Sequence, residues 1–146
     1  MIEIGELAPD FTLPDDQGRP FTLSEALKES RVMLYFYPKD FTLICTAQAK
    51  MCRNDGARLR RAGIRVVGVS HQSVASHQSF KANHGLDYTL LADVEKRVIR
   101  LYGATTWFGT ARDTYLIDRT GKVLDRARAH FTLGAHHALI DRAVTA

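Results

Sequence analysis

With two cysteines in 146 residues, Cys45 and Cys52, the chain has no disulfide framework to hold it together. In a reducing compartment, two thiols point to redox chemistry or to incidental side chains. Long hydrophobic runs are absent, and the longest falls far short of the roughly 20 residues a membrane span requires. Met1-Ile2-Glu3-Ile4-Gly5-Glu6 has no basic region leading into an apolar one, so no secretory signal is expected, and a cytoplasmic address is the default. Repeats, low-complexity stretches and linkers are also missing. The net charge of +4 is not gathered into a patch. Its densest cluster, Arg58-Leu59-Arg60-Arg61 with Arg65, is interleaved with helix formers and reads as a solvated helix face, so nucleic acid is not an expected partner. The six histidines form no ligand pattern. His136 and His137 diverge by about 100° on a helix. His77 and His84 lack a clustered carboxylate or cysteine. No metal and no organic cofactor is expected, and solvated or capping roles are assigned to these imidazoles.

What remains is the composition of a globular protein, 45% hydrophobic and 25% charged. The length suits one domain, residues 1–146, that buries roughly 68–70% of its unfolded surface. Phe11-Thr12-Leu13 and Pro20-Phe21-Thr22-Leu23 flank Pro14-Asp15-Asp16-Gln17-Gly18, which is turn chemistry for an N-terminal hairpin. Ser24 is placed to N-cap a short helix through Lys28. Arg31 to Tyr37 reads as a buried strand, followed by a long helix from Thr42 to about Ala62 and a strand at Arg65–Val69. That β-α-β order implies a parallel pair. A helix from Ser73 to about Asn83, a strand at Thr89–Ala92 and a helix from Val94 to Leu101 follow. Thr114–Ile117 and Val123 to about Ala129 form a hairpin around Asp118-Arg119-Thr120-Gly121, and a final helix opens at Gly134. The expected class is α/β, a mixed central sheet with helices on both faces.

Cys45 stands out by position. It follows the apolar run Val32-Met33-Leu34-Tyr35-Phe36-Tyr37 and the loop Pro38-Lys39-Asp40-Phe41-Thr42, in the first turn of the predicted helix. Free backbone N–H groups and the positive end of the helix dipole favour an anion there. The thiolate is the nucleophilic form of cysteine.

A cysteine opening the helix after the first central strand resembles the thioredoxin fold. Pro38-x-x-x-Thr42-x-x-Cys45 resembles the signature of the peroxiredoxins, which are cysteine-dependent peroxidases. Further matches are Gly5 to Leu13, Val66 to Ser70, Leu90 to Asp93 and Arg112 to Asp118, in order along nearly the whole chain. The compact length and short C-terminus are most similar to the peroxiredoxin Q (bacterioferritin comigratory protein) branch. The resemblance implies that Cys45 attacks the terminal oxygen of a peroxide and becomes a sulfenic acid. It further implies that Thr42 orients the peroxide, that Arg112 holds the thiolate and polarises the O–O bond, and that Pro38 shields the site from water. Phe41, Trp107 and Phe108 are candidates for the pocket wall. The expected substrates are hydrogen peroxide and organic hydroperoxides, and the expected reductant is thioredoxin or a low-molecular-weight thiol. The lack of a long C-terminal extension points to a monomer.

Cys52 departs from the pattern. In many peroxiredoxin Q proteins the resolving cysteine lies five residues after the first, where this chain has Lys50. Seven residues of helix put Cys45 and Cys52 on one face but about 10.5 Å apart along the axis. A disulfide needs Cα atoms roughly 4.4–6.8 Å apart. Three routes stay open: local unwinding and resolution by Cys52, direct attack by an external thiol, or a disulfide between subunits. Leu43-Ile44 replaces a proline or glycine beside an apolar residue, and Gln48 replaces a common glutamate, removing a negative charge near the sulfur. A disulfide reductase is the nearest rival enzyme, but Thr42 fills the place of the first cysteine of its Cys-x-x-Cys motif. The alternative outside catalysis is a redox sensor or relay that passes oxidation to a partner protein.

Overall fold

The computed structural model describes residues 1–145. The N-terminal hairpin pairs β1 (Thr12–Pro14) with β2 (Pro20–Thr22), as expected. Its turn is closed by the Asp15 carboxylate, which accepts the N–H groups of Gln17 and Arg19 at 2.8 and 2.9 Å. Helix α1 (Leu23–Leu27) starts one residue before the expected cap. Ser24 does not cap it. The Asp10 carboxylate does that work from upstream, accepting the Ser24 N–H at 2.9 Å and its hydroxyl at 2.8 Å.

Strand β3 (Arg31–Phe36) leads into α2 (Leu43–Asn54), α3 (Gly56–Arg61) and β4 (Ile64–Ser70). The single long helix expected here is two. Asp55 has ψ near 0°, outside the helical range, and its carboxylate is held by Arg58 rather than by a continuing turn. The Asp55-Gly56 pair was the available signal, since glycine lowers helix propensity. Next come α4 (Val74–His84), β5 (Thr89–Ala92) and α5 (Arg97–Leu101). Helix α4 begins and ends as its sequence implies. Ser73 accepts the Ser76 N–H, and Gly85 sits in the left-handed region at φ +58°. Helix α5 starts three residues later than expected because Asp93 reaches past the turn to accept the Ile99 N–H at 2.7 Å. The small ladder of β6 (Thr105–Thr106) and β7 (Gly109–Thr110) has no sequence signal. Strands β8 (Asp113–Ile117) and β9 (Val123–Arg128) form the expected hairpin, and α6 (Gly134–Thr145) closes the chain.

Five strands make the central sheet in the order β5-β4-β3-β8-β9. The pairs β3–β4 and β4–β5 are parallel, while β3–β8 and β8–β9 are antiparallel. Alternation along β3 divides the core in two. Val32, Leu34 and Phe36 pack with Phe11, Phe21, Leu23, Leu27, Val98 and Tyr102 on one face. Met33, Tyr35 and Tyr37 pack with Cys45, Ala49, Cys52, Leu59, Phe80 and Leu139 on the other. The second face carries α2 against the sheet, so the N-terminus of α2 is fixed beside the carboxyl ends of β3 and β4.

The arginine cluster is solvated and largely paired: Arg58 with Asp55 and Asp141, Arg60 with Asp87. The histidines differ from expectation. His77 and His136 are buried and hydrogen-bonded rather than solvated or capping.

Gly68 lets the side chains of Tyr35 and Leu90, from the two neighbouring strands, close over β4. A Cβ there would lie 2.9 Å from the Tyr35 ring and 3.0 Å from Leu90 Cδ2. Gly68→Ala is expected to destabilise the protein by about 1–3 kcal/mol, as overpacking does, read as a lower urea midpoint at unchanged slope.

Candidate active site

The site is built where β3 runs out. Tyr37-Pro38-Lys39-Asp40 leaves the sheet, and Phe41 takes a left-handed conformation at φ +64°, unusual for an aromatic residue. Thr42 occupies the N-cap position of α2. Its carbonyl accepts the Thr46 N–H at 2.9 Å, while its hydroxyl donates back to the Lys39 carbonyl at 2.9 Å. Cys45 is the third residue of the helix and is 2% exposed. It stands in the first turn, where backbone donors lack intrahelical partners.

Arg112, from the segment entering β8, is 3% exposed and spends its whole guanidinium on this site. Nη2 donates to Cys45 Sγ at 3.2 Å, Nη1 to Gln48 Oε1 at 2.6 Å, and Nε to the His130 carbonyl at 3.1 Å. A full positive charge therefore faces the sulfur, and both residues are almost fully buried. Gln48 supplies an acceptor without a second negative charge, so that positive charge is left to face the sulfur.

A cavity of about 390 Å³ opens over Cys45, lined by Pro38, Thr42, Leu43, Ile44, Phe108 and Phe131 together with Thr110, Arg112 and His130. The exposed wall is nearly all apolar, with Thr42, Thr110, Arg112 and His130 the polar residues beside Cys45. His130 was not anticipated. Its ring lies edge-on to Phe108 with centroids 5.3 Å apart, and its Nδ1 is shielded from solvent with no hydrogen-bond partner. A lone histidine 18 residues beyond Arg112 carries no spacing signal that could have found it.

Of the predicted site residues, Pro38, Thr42, Cys45, Arg112 and Phe108 are brought together. Two aromatic wall candidates are not. Trp107 is 94% exposed at the tip of the β6–β7 turn and lies outside the cavity lining. Phe41 is turned away by its left-handed backbone and packs against Phe80 and His84, with centroids 5.2 and 6.3 Å apart.

Cys52 lies two turns along α2, 1% exposed and packed in the core with Leu59 and Tyr88. Both cysteines are free thiols. Burial, with a smaller contribution from Asp55, pushes the Cys52 thiol up to about 12. The helix between the two sulfurs is tied to the sheet by Tyr88, whose hydroxyl donates to the Ala49 carbonyl at 3.1 Å and pairs with the Tyr35 hydroxyl at 2.8 Å.

Among the described residues no helix is long and apolar enough to cross a membrane, and no three His, Cys, Asp or Glu side chains are grouped to hold a metal.

A buried thiol at a helix N-terminus, a guanidinium aimed at it and an apolar chamber above define a thiol-dependent peroxidase. Comparison with known proteins agrees. The chain belongs to the AhpC/TSA family, whose model matches residues 4–126. It is 42% identical over 130 residues to the peroxiredoxin-type protein bcp of Coxiella burnetii, covering 84% of this chain and 85% of that one. It is 41% identical over 122 residues to a chloroplastic peroxiredoxin Q of Sedum lineare, where it spans 82% of this chain and 65% of the relative. Among solved structures, peroxidoxin BcpB of Mycobacterium tuberculosis superposes with a TM-score of 0.90 at 31% identity, covering 99% of this chain and 96% of that one. Peroxiredoxin Q of Xanthomonas campestris gives 0.84 at 26% identity over 92% and 90% of the two chains. The fold is thioredoxin-like, as expected.

Two measurements test this geometry. Arg112→Lys keeps the charge but loses the three-way fork, and the rate of Cys45 oxidation by peroxide is expected to fall by about 10²-fold, as when one stabilising donor is removed from an active site. In the reduced native protein Cys52 is expected to resist iodoacetamide at pH 8 and to react once the protein is unfolded, because its thiol ionises only near 12 in the fold. Its neutral form is favoured by the fold. The corresponding stability is therefore full below about 9, the unfolded value, and is lost as pH rises from there towards 12.

Proposed function

We propose that Cys45 is the peroxidatic residue, reducing hydrogen peroxide and organic hydroperoxides, with Thr42, Arg112 and Pro38 completing the site. The observation that carries this reading is the 3.2 Å contact from Arg112 Nη2 to Cys45 Sγ beneath an apolar cavity. The thiolate attacks the terminal oxygen of the hydroperoxide. A sulfur–oxygen bond forms as the O–O bond breaks, leaving Cys45 as sulfenic acid and releasing water or an alcohol after the leaving oxygen takes up a proton. Arg112 stabilises negative charge as it passes from sulfur to the leaving oxygen. Thr42 has its hydroxyl free to turn from the Lys39 carbonyl to the incoming peroxide, and Pro38 closes the floor without adding a donor. The apolar wall of Leu43, Ile44, Phe108 and Phe131 suits an alkyl substituent. No metal or organic cofactor enters the step.

The oxidised sulfur is then resolved by Cys52. The two sulfurs cannot meet across an intact helix, so α2 must unwind between them. Its length favours this: α2 ends at Asn54, and the break at Asp55 leaves α3 free to stay docked while α2 opens. The disulfide is returned to thiols by thioredoxin or a small thiol. The whole chain, 1–146, acts as one unit, as a monomer in the cytoplasm.

Cys45→Ser is expected to abolish turnover, and Cys52→Ser to leave the first peroxide-consuming turnover intact. Mass spectrometry of the peroxide-treated parent separates the routes. Loss of two hydrogens from the monomer supports a Cys45–Cys52 bond. One added oxygen on Cys45 with no disulfide means that an external thiol completes the cycle, and a linked dimer means resolution between subunits.

A further inference from the structure

Behind the Cys45 loop lies a second buried polar cluster that the proposed reaction does not use. Asp40 and His77 have side chains that are 0% exposed and meet at 2.6 Å between His77 Nδ1 and Asp40 Oδ2. His77 Nε2 lies 3.0 Å from the Leu91 carbonyl, which can only accept, so Nε2 carries a hydrogen. Nδ1 meets a carboxylate oxygen, so a further proton lies in that contact. The pair is thereby neutral as a unit and each atom is matched. Tyr37 donates its hydroxyl to Asp40 Oδ1 at 2.5 Å, Ser76 donates to Oδ2 at 2.9 Å, and Gln72 Oε1 accepts the Asp40 backbone N–H.

These contacts join five pieces of the fold. Tyr37 follows β3, Gln72 follows β4, Ser76 and His77 lie on α4, Leu91 is in β5, and Asp40 belongs to the loop before Cys45. Immediately after Asp40 comes Phe41, a non-glycine residue held at φ +64°, a conformation that persists only where its surroundings enforce it. Its ring is pinned on Phe80 and His84, also of α4. Anchored before and at Phe41, the chain has little freedom in where it sets Thr42 and the first turn of α2.

We infer that the buried Asp40–His77 pair is a clamp that positions the first turn of α2, making Asp40 and His77 positioning residues for the reaction at Cys45. This rests on Cys45 being the reacting thiol. Neither side chain lines the cavity over that sulfur. Their effect is exerted through Phe41 and Thr42. With the clamp closed, Thr42 and the helix N–H groups stay aligned for attack. With it broken, Phe41 relaxes from its left-handed conformation and the first turn of α2 frays.

The test uses Asp40→Asn and His77→Gln in the full chain. Acid-quenched mass spectrometry reads the rate of oxygen transfer to Cys45, and hydrogen exchange reads each segment. In both variants oxygen transfer is expected to slow by about ten- to a hundred-fold, as misplacement of a reacting group does. Exchange is expected to accelerate in residues 39–54 while β3, β4 and β8 keep their protection. Exchange that rises evenly through the sheet makes the pair ordinary core and overturns the inference, as does an unchanged rate of oxygen transfer. Should peroxide leave Cys45 of the parent protein unoxidised, with neither sulfenic acid nor disulfide formed, the reading beneath the clamp falls and the clamp with it. A clamp that fails alone leaves the parent reacting and the variants matching it.

Discussion

The contact between the Arg112 guanidinium and the Cys45 sulfur organises this end of the molecule. A buried arginine is costly unless each of its donors finds an acceptor. Here three acceptors come from two separate stretches of chain: Sγ and Gln48 from α2, and the His130 carbonyl from the loop after β9. The charge that favours a negative sulfur is therefore also the tie that joins α2 to the β8–β9 hairpin. Moving the guanidinium would take from the sulfur its hydrogen-bond donor and from α2 its link to the hairpin. Chemistry and local stability rest on one side chain.

That tie explains why the neighbouring residues are as they are. Gln48 is neutral, and a carboxylate in its place would compete with the sulfur for the cation. The cavity wall is apolar, so the Arg112–Cys45 attraction is only weakly screened. Further along the same face of α2 the Tyr35–Tyr88 pair reaches the Ala49 carbonyl, one turn beyond Cys45. A helix held at one end by a charge and at its middle by a neutral hydroxyl can release its first turns while its second half stays on the sheet. The resolving step proposed for Cys52 requires that division.

Much of this was legible in the sequence. Strands β3, β4, β5, β8 and β9 were marked by apolar runs and turn residues, and Ser73 and Gly85 bracketed α4 because capping is local chemistry. Cys45 stood out by its position, Thr42 and Arg112 through likeness to a family, and the fold brings the three around one cavity. What escaped depended on long-range contacts. Asp10, for instance, caps α1 from 14 residues upstream. The histidines escaped for the same reason. Nothing near His77 in sequence announces a partner 37 residues earlier, yet the fold closes that distance to 2.6 Å.

The misplacement of Phe41 shows why local pattern could not settle the pocket. An aromatic residue three positions after Pro38 and four before Cys45 sits where a wall residue would be expected if the loop were simply extended. The positive φ reverses that expectation, because it rotates the ring towards α4. The loop can hold this conformation because Asp40, one residue earlier, is fixed by several buried partners, and the Phe80 ring receives the aromatic face. The cost of a left-handed aromatic residue, about 1–3 kcal/mol, is thus offset by polar contacts to Asp40 from several elements and by the apolar contact with Phe80 on α4. The pocket over Cys45 is in turn left to be walled by Leu43, Ile44, Phe108 and Phe131. The polar core behind the loop and the apolar chamber in front of it are two consequences of the same backbone turn.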